Sequence, residues 1–456
     1  MPRLFGTDGV RGVANLELTN TLAYRLGQAA VAFLGQTIVI GKDTRLSGDM
    51  LEAAAAAGIM SAGGTALLAD IIPTPGVALL VRELHADGGM VISASHNPPQ
   101  YNGIKLFDNA GFKLPDELED EIEAFVTEGG LEAVVKKACE QDASYSMPQG
   151  PALGVALPVE EACDIYIDHV VSCIQGQDLD FKDLHIALDA GHGASALTSK
   201  RAFEALGAKV SVINDDFDGC DINVNCGSTH LEPLRELMEE SGADVGVAHD
   251  GDADRVILMT PGGQEIDGDY IEAVCALDMK SRGCLADDTV VSTVMCNLGF
   301  VRAMEAEGIH VVQTKVGDRY VLEEMRSHGY SIGGEQSGHM ILLDHNSTGD
   351  GLMTACQFLA AVKRSGKPLE EAIQVMEKFP QCLINVAVNH KEEVEENGAI
   401  RAVVSLSKAR LGDRGRVLIR PSGTEPLVRV MVEAEDEAEA KEIAENIAEV
   451  VERELK

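Results

Sequence analysis

Short apolar runs, each closed by a cluster of small polar or charged residues, recur along this chain. Thr37-Ile-Val-Ile-Gly41 ends in Lys42-Asp43-Thr44-Arg45, and Met90 to Ile92 ends in Ser93-Ala-Ser-His-Asn-Pro98. Apolar runs of this length bounded by turn-formers read as buried strands. Between them, Leu51 to Met60 is an Ala-rich helix and Thr65 to Ala69 a further strand. Strand and helix alternate, which favours parallel βαβ units.

The theme returns twice. His185 to Asp189, Lys209 to Asn214 and Asp244 to His249 read as strands, with helices over Ser199 to Leu206 and Leu231 to Glu240. The last of these strands runs into Asp250-Gly-Asp-Ala-Asp-Arg255. A third set has strands at Thr289 to Thr293, His310 to Thr314 and Tyr330 to Ile332, with a helix over Gly299 to Glu307. It delivers the loops Lys315-Val-Gly-Asp-Arg319 and Gly333-Gly-Glu-Gln-Ser-Gly-His339. The end of the chain differs. Arg416 to Ile419 and Leu427 to Val432 are strands joined by Arg420-Pro-Ser-Gly-Thr-Glu-Pro426. Asp436 and Glu439 then form a capping-box-like helix start, and Ile443, Ile447, Val450, Val451 and Leu455 share one face. The fold class expected is α/β: three similar mixed α/β domains plus a smaller C-terminal α+β domain. The weakly patterned stretch Glu140 to Leu157 marks the first boundary, and the domains are expected at 1–148, 149–257, 258–367 and 368–456.

A length of 456 residues fits three or four domains. The net charge of −37 argues against non-specific nucleic-acid binding, which needs a basic surface. Any anion site must therefore be a local basic cluster in a repelling field. The ten cysteines contain no C-x-x-C pair, so zinc or redox spacing is lacking and reduced thiols in the cytoplasm are expected. The start Met-Pro-Arg-Leu-Phe-Gly-Thr-Asp has no apolar signal core, and the longest uncharged run, Ala53 to Ala69, reads as helix and turn. No membrane partner is expected.

Asp250, Asp252 and Asp254 alternate, so in a tight loop their carboxylates can converge. Hard oxygen ligands suit Mg²⁺ or Ca²⁺. An EF-hand needs Gly and Glu where Arg255 and Pro261 stand, so that reading fails. A solvated acidic turn is the alternative. Ser95 follows a strand at the end where ligands bind in open α/β sheets, with His96 and Asn97 beside it. It is a candidate nucleophile needing a base or a metal; the other reading is a helix cap. No G-x-S-x-G elbow surrounds it, which disfavours a serine hydrolase. Arg420, Ser422, Gly423 and Thr424, with Arg429 on the next strand, suit an anion nest. Lys105, Arg11 and Arg45 are further cations, each a solvated side chain or an anion ligand. Glu335 and Ser337 on a Gly-flanked loop can hydrogen-bond two neighbouring sugar hydroxyls, and His339 is a site residue or a structural histidine.

Together these residues resemble the α-D-phosphohexomutase superfamily. The similarity spans the chain, from Phe5-Gly-Thr-Asp-Gly-Val-Arg-Gly12 to Arg420-Pro-Ser-Gly-Thr-Glu425, with Ser93 to Pro98, Asp250 to Arg255 and Gly334 to His339 in order between them. Gln336, Lys315 to Arg319 and Asn225-Cys-Gly-Ser-Thr-His230 resemble the bacterial branch that acts on glucosamine phosphates. Tyr101 and the stretch Leu342 to His345 depart from the common pattern outside the signature loops.

The resemblance implies four domains around a central active-site cleft, the fourth closing over the sugar. It implies a phosphoserine at Ser95, with Mg²⁺ held by Ser95, Asp250, Asp252 and Asp254. Glu335 and Ser337 would bind the sugar. Arg420, Ser422, Gly423, Thr424 and Arg429 would bind the non-reacting phosphate. Lys105, Arg11, His96 and His339 would serve the chemistry. The implied activity is interconversion of glucosamine 6-phosphate and glucosamine 1-phosphate, with glucosamine 1,6-bisphosphate as intermediate and activator, feeding UDP-N-acetylglucosamine and cell-wall precursors. The partner is then a small hexosamine phosphate, on a monomer or homodimer. A phosphoglucomutase or phosphomannomutase, an Mg²⁺-dependent phosphatase and a non-catalytic sugar-phosphate sensor are the competing readings.

Overall fold

Seven strands make the first sheet, in the order Phe5–Gly6, Gly9–Val13, Tyr101–Phe107, Gly88–Ile92, Thr37–Lys42, Thr65–Ile71 and Val155–Pro158. The computed structural model describes residues 3–6, 8–139, 146–422 and 426–456. The described chain divides into two compact units, one of residues 1–295 and 310–373 and one of 296–309 and 374–456.

The first unit holds three sheets with one plan. In the first sheet, Thr37–Lys42 lies between Thr65–Ile71 and Gly88–Ile92, all parallel. Tyr101–Phe107 then returns antiparallel beside Gly88–Ile92. In the second, His185–Asp189 lies parallel between Lys209–Ile213 and Val245–His249, and Val256–Met259 returns antiparallel. In the third, Thr289–Thr293 lies parallel between His310–Thr314 and Ile332–Gly334, and Met340–Leu342 returns antiparallel. The three similar α/β units expected from the patterning are thus present, but purely parallel βαβ units are not. Each sheet carries, beside its parallel strands, a reversed strand that strand–helix alternation did not predict. The consequence is functional: each reversal is a hairpin, and the three hairpins are Ser93 to Gln100, Asp250 to Arg255 and Glu335 to His339.

Local chemistry explains most boundaries. Thr19 caps the helix Asn20–Phe33, Asp267 caps Gly268–Ser281 and Asp350 caps Gly351–Ser365, each side chain accepting a first-turn N–H. The third strand of the third sheet is Ile332–Gly334 rather than Tyr330 to Ile332, because Gly329 ends the preceding helix in the left-handed region and Tyr330 is spent on that turn. Val155–Pro158 pairs with Thr65–Leu68, so the first sheet takes an edge strand from beyond position 148. Residues 140–145 of the expected boundary stretch lie outside the described residues. No helix among the described residues is long and apolar enough to cross a membrane.

The second unit is a three-stranded antiparallel sheet with Leu427–Ala434 between Gln381–Ala387 and Gly415–Pro421. Helices Gly398–Leu411 and Glu437–Leu455 cover it. Asp436 accepts the Glu439 N–H at 2.8 Å, and Ile443, Ile447, Val451 and Leu455 bury against Val428, Val430 and Val432. This is the smaller α+β domain that the sequence predicts.

Candidate active site

The strand Gly88–Ile92 is buried throughout, and its last hydrogen bonds set the loop that follows. Ser93 N donates to Gly103 O, and Ser93 Oγ donates to Asp43 Oδ2 at 2.6 Å while accepting from Ser95 N at 2.9 Å. Ser95 is 1% exposed and has a φ of 52°, in the left-handed region. That turn directs Oγ at Asp250, to whose Oδ2 it donates at 2.6 Å. His96 Nδ1 lies 3.2 Å from the same Oγ. Burial, then Arg255 and Arg11, push the His96 pKa down to about 4, so its ring is neutral at pH 7.

The acidic loop approaches closely because it carries a glycine. A Cβ on Gly251 would lie 2.8 Å from Ser95 O. Asp250, Asp252 and Asp254 are buried and each offers an oxygen within 4.8 Å of the others. Asp252 Oδ1 and Asp254 Oδ1 have no hydrogen-bond partner among the described residues. Burial, then Asp254 and Asp252, push the Asp250 carboxyl up to about 8. Burial would also raise Asp254, but Lys105 and His339 outweigh it and hold Asp254 well below the usual range. Three convergent oxygen donors with open lone pairs, one protonated for want of positive charge, fit a hard divalent cation such as Mg²⁺.

Lys105 stands on the reversed strand Tyr101–Phe107, opposite Val91. Its Nζ donates to Asp252 Oδ2 at 2.9 Å and Asp254 Oδ2 at 3.3 Å. Burial works against its charge, yet Asp252, Asp254 and Asp8 raise its pKa above the ordinary lysine value. It therefore enters any reaction as a proton donor or fixed charge. Arg11, on Gly9–Val13, is partly buried, with Asp8 3.5 Å away. His339 is buried between two acids, with Nδ1 3.6 Å from Asp254 and Nε2 3.4 Å from Asp318. Burial opposes protonation there, but Asp254 and Asp318 raise its pKa.

The third hairpin joins this cluster. Val256 N donates to Gly338 O at 3.2 Å, binding it to the acidic loop's outgoing strand. Glu335 Oε1 accepts from Gly317 N at 3.1 Å, Gln336 Nε2 donates to Asp269 at 2.9 Å, and Ser337 is exposed. Ser95, His96, Lys105, Arg11, the three aspartates and His339 are therefore joined through shared contacts in the first unit, with Glu335 and Ser337 on the adjoining turn.

Arg420, Ser422 and Arg429 lie in the second unit. Arg420 and Arg429 are direct cross-strand partners, and Lys391 Nζ donates to Ser422 O at 2.7 Å. Like charges placed opposite one another on adjacent strands repel. Gly423 and Thr424 lie outside the described residues.

Sequence reasoning missed several members of the cluster. Thr74 Oγ1 donates to Asp252 Oδ2 at 2.7 Å. Lys113 pairs with Asp318 and, at 3.3 Å, with Asp8, carrying the charge network to His339. Arg45, which the sequence offered as an anion ligand or a solvated cation, is instead wholly buried beneath the Ser95 loop. Thr74 and Lys113 are brought in over long sequence separations, which no local pattern shows.

Sequence profiles of the phosphoglucomutase/phosphomannomutase family match four successive stretches. These are alpha/beta/alpha domain I over 2–132, domain II over 164–263, domain III over 267–379 and the C-terminal domain over 383–450. The phosphoglucosamine mutase of Clostridium novyi (strain NT) is 50% identical over 459 residues, covering 99% of each chain. That of Clostridium perfringens (strain SM101 / Type A) is 51% identical over the same span and coverage. Among solved structures, a phosphoglucomutase/phosphomannomutase family protein from Burkholderia thailandensis superposes with a TM-score of 0.79 at 23% identity, covering 99% of this chain and 97% of that one. An Aspergillus fumigatus N-acetylphosphoglucosamine mutase, solved with GlcNAc-6P and magnesium, superposes at 0.72 with 18% identity, covering 99% and 95%. At these identities the two superpositions show the fold.

Proposed function

The chain belongs to the phosphoglucomutase/phosphomannomutase family, and from that premise we propose that it interconverts glucosamine 6-phosphate and glucosamine 1-phosphate. Full-length identity of about half to phosphoglucosamine mutases supports the amino sugar as substrate. The observation that carries the chemistry is the 2.6 Å contact of Ser95 Oγ with Asp250, inside a buried acidic cluster that fits Mg²⁺.

In this reading phosphorylated Ser95 gives its phosphoryl group to O1 of glucosamine 6-phosphate. The 1,6-bisphosphate reorients and returns its 6-phosphoryl group to Ser95, leaving glucosamine 1-phosphate; the bisphosphate thus also serves as activator. Such transfer depends on positioning and charge neutralisation. Asp250, Asp252, Asp254 and Ser95 would hold Mg²⁺, which would supply part of that neutralisation. Lys105 supplies a fixed charge or a proton, and Arg11 a guanidinium for the phosphoryl oxygens. His96, neutral and 3.2 Å from Oγ, accepts or returns the hydroxyl proton. His339 adds a buried cationic donor beside Asp254. Glu335 and Ser337 bind sugar hydroxyls. Arg420, Ser422, Gly423, Thr424 and Arg429 bind the non-reacting phosphate. All ten cysteines are free thiols, which supports a cytoplasmic setting.

The test is the ratio of kcat/KM for glucosamine 6-phosphate against glucose 6-phosphate and mannose 6-phosphate, with Mg²⁺ and trace 1,6-bisphosphate. A preference for the amino sugar is expected. A preference for glucose or mannose would keep the transfer chemistry and overturn the substrate.

A further inference from the structure

Arg45 spends both guanidinium NH2 groups on backbone carbonyls of the turn that carries Ser95, and its remaining side-chain N–H on Asp43. Its Nε donates to Asp43 Oδ2 at 2.9 Å. Nη1 donates to Pro98 O at 2.6 Å and Tyr101 O at 3.0 Å. Nη2 donates to Ser95 O at 2.9 Å and Asn97 O at 2.7 Å. A guanidinium has only these N–H groups, so Arg45 has none left for a phosphate. The side chain is fully buried, as is that of Asp43. Asp43 also accepts from Arg45 N at 3.0 Å and Ser93 Oγ at 2.6 Å, so one carboxylate holds both the arginine and the root of the loop.

A second domain grips the same carbonyls. Asn223 Nδ2 donates to Ser95 O at 2.9 Å and Asn97 O at 3.3 Å. Both lone pairs of Ser95 O are therefore taken, one by Arg45 and one by Asn223, which fixes the plane of the peptide that follows Ser95. A left-handed serine is unfavourable on its own and persists only where its surroundings over-determine it. The Arg45 loop itself is docked on the domain bearing the acidic hairpin, through Thr44 Oγ1 to His192 O at 2.5 Å and Leu46 N to Gly219 O at 2.9 Å.

We infer that Arg45 is a positioning residue for phosphoryl transfer: with Asp43 beneath it and Asn223 opposite, it holds the Ser95 peptide so that Oγ faces the acidic cluster. The inference rests on the reading that Ser95 carries the phosphoryl group. With all its side-chain N–H donors used on protein oxygens, Arg45 has none for substrate, so its loss should act on the chemical step and spare substrate affinity.

The experiment uses the full chain with Arg45→Lys, Arg45→Gly, Asn223→Ala and Ser95→Ala. Lysine keeps the charge but cannot span four carbonyls. Displacement of a reacting atom by about 1 Å costs about 100-fold. Arg45→Lys is expected to keep its circular dichroism and to lose about 100-fold in kcat with KM changed less than about threefold. Asn223→Ala should show a smaller loss of the same kind. Methylguanidinium should restore turnover to Arg45→Gly in a saturable manner, together with the rate of Ser95 phosphorylation by 1,6-bisphosphate followed by intact mass. Arg45→Lys with kcat within about threefold of the parent would overturn the inference. So would an Arg45→Gly defect that tracks the unfolded fraction and ignores methylguanidinium. Ser95→Ala separates the premises: if it turns over, the reading of Ser95 fails, whereas an inactive Ser95→Ala beside an active Arg45→Lys defeats only the role of Arg45.

Discussion

Ser95 Oγ donates a 2.6 Å hydrogen bond to Asp250 Oδ2 across a sequence separation of 155 residues. The two residues occupy equivalent hairpins of two sheets built to one plan, and the third sheet places Glu335 to His339 on the same kind of turn. A repeated strand reversal therefore gathers the chemistry of three domains.

Removing divalent cation should leave the acidic hairpin electrostatically frustrated, with Asp250 protonated below about pH 8. Mg²⁺ added to chelator-treated protein should raise Tm in a saturable way, by the equivalent of about 2.7 kcal/mol at a hundredfold excess over Kd. Asp252→Asn and Asp254→Asn should lose that response. Asp250→Asn mimics the protonated carboxyl and should cost the metal-free protein little. Differential scanning calorimetry with and without Mg²⁺ checks this; an undiminished Mg²⁺ response in all three variants would disagree.

Lys105→Met should destabilise the chain by about 3–5 kcal/mol, because two buried carboxylates lose their cation. Adding Asp254→Asn should recover part of that loss. Urea unfolding at neutral pH measures both. A Lys105→Met protein as stable as the parent would mean that Asp252 and Asp254 are relieved by other means.

How much of this could be read beforehand depended on whether the signal was local. Apolar runs followed by turn residues located Ser95 and the aspartates, and Asp436 with Glu439 located the last helix. The reversed strand Tyr101–Phe107 was missed as a strand because Lys105 interrupts its apolar pattern, and Lys105 is buried only through Asp252 and Asp254, 147 and 149 residues away. Asp318 lay in the Lys315 to Arg319 loop, but nothing local marked Lys113, 205 residues away, as its partner. Arg45 read as an anion ligand or a solvated cation, and only the positions of four carbonyls show that its donors are consumed.

Gly58→Ala should destabilise, although alanine is favoured over glycine by about 1 kcal/mol within a helix. Helices Asn20–Phe33 and Gly48–Ser61 meet so closely that a Cβ on Gly58 would lie 2.0 Å from Tyr24 O, and one on Gly27 2.2 Å from Ala55 O. Backbone cannot yield as a side chain can, so the overpacking cost of about 1–3 kcal/mol should exceed the propensity gain. A lower Tm for Gly58→Ala, and likewise for Gly27→Ala, is the expected result.

Burial, partly offset by Asp344 and then reinforced by His169, lowers the pKa of His345. A histidine depressed in the folded state contributes stability above its unfolded pKa of about 6.5 and loses it as pH falls through the folded value. Tm should therefore decline on acidification below about pH 6.5, and His345→Gln should decline less over the same window. Parallel Tm–pH curves would remove His345 from that dependence.

The most direct test of the whole account is turnover of glucosamine 6-phosphate to glucosamine 1-phosphate by the parent and by Ser95→Ala, with Mg²⁺ and trace 1,6-bisphosphate. The parent should turn over with phosphate mapped by mass spectrometry to Ser95, and Ser95→Ala should stay at background. Turnover by Ser95→Ala at the parent rate, or phosphate carried on another residue, would contradict it.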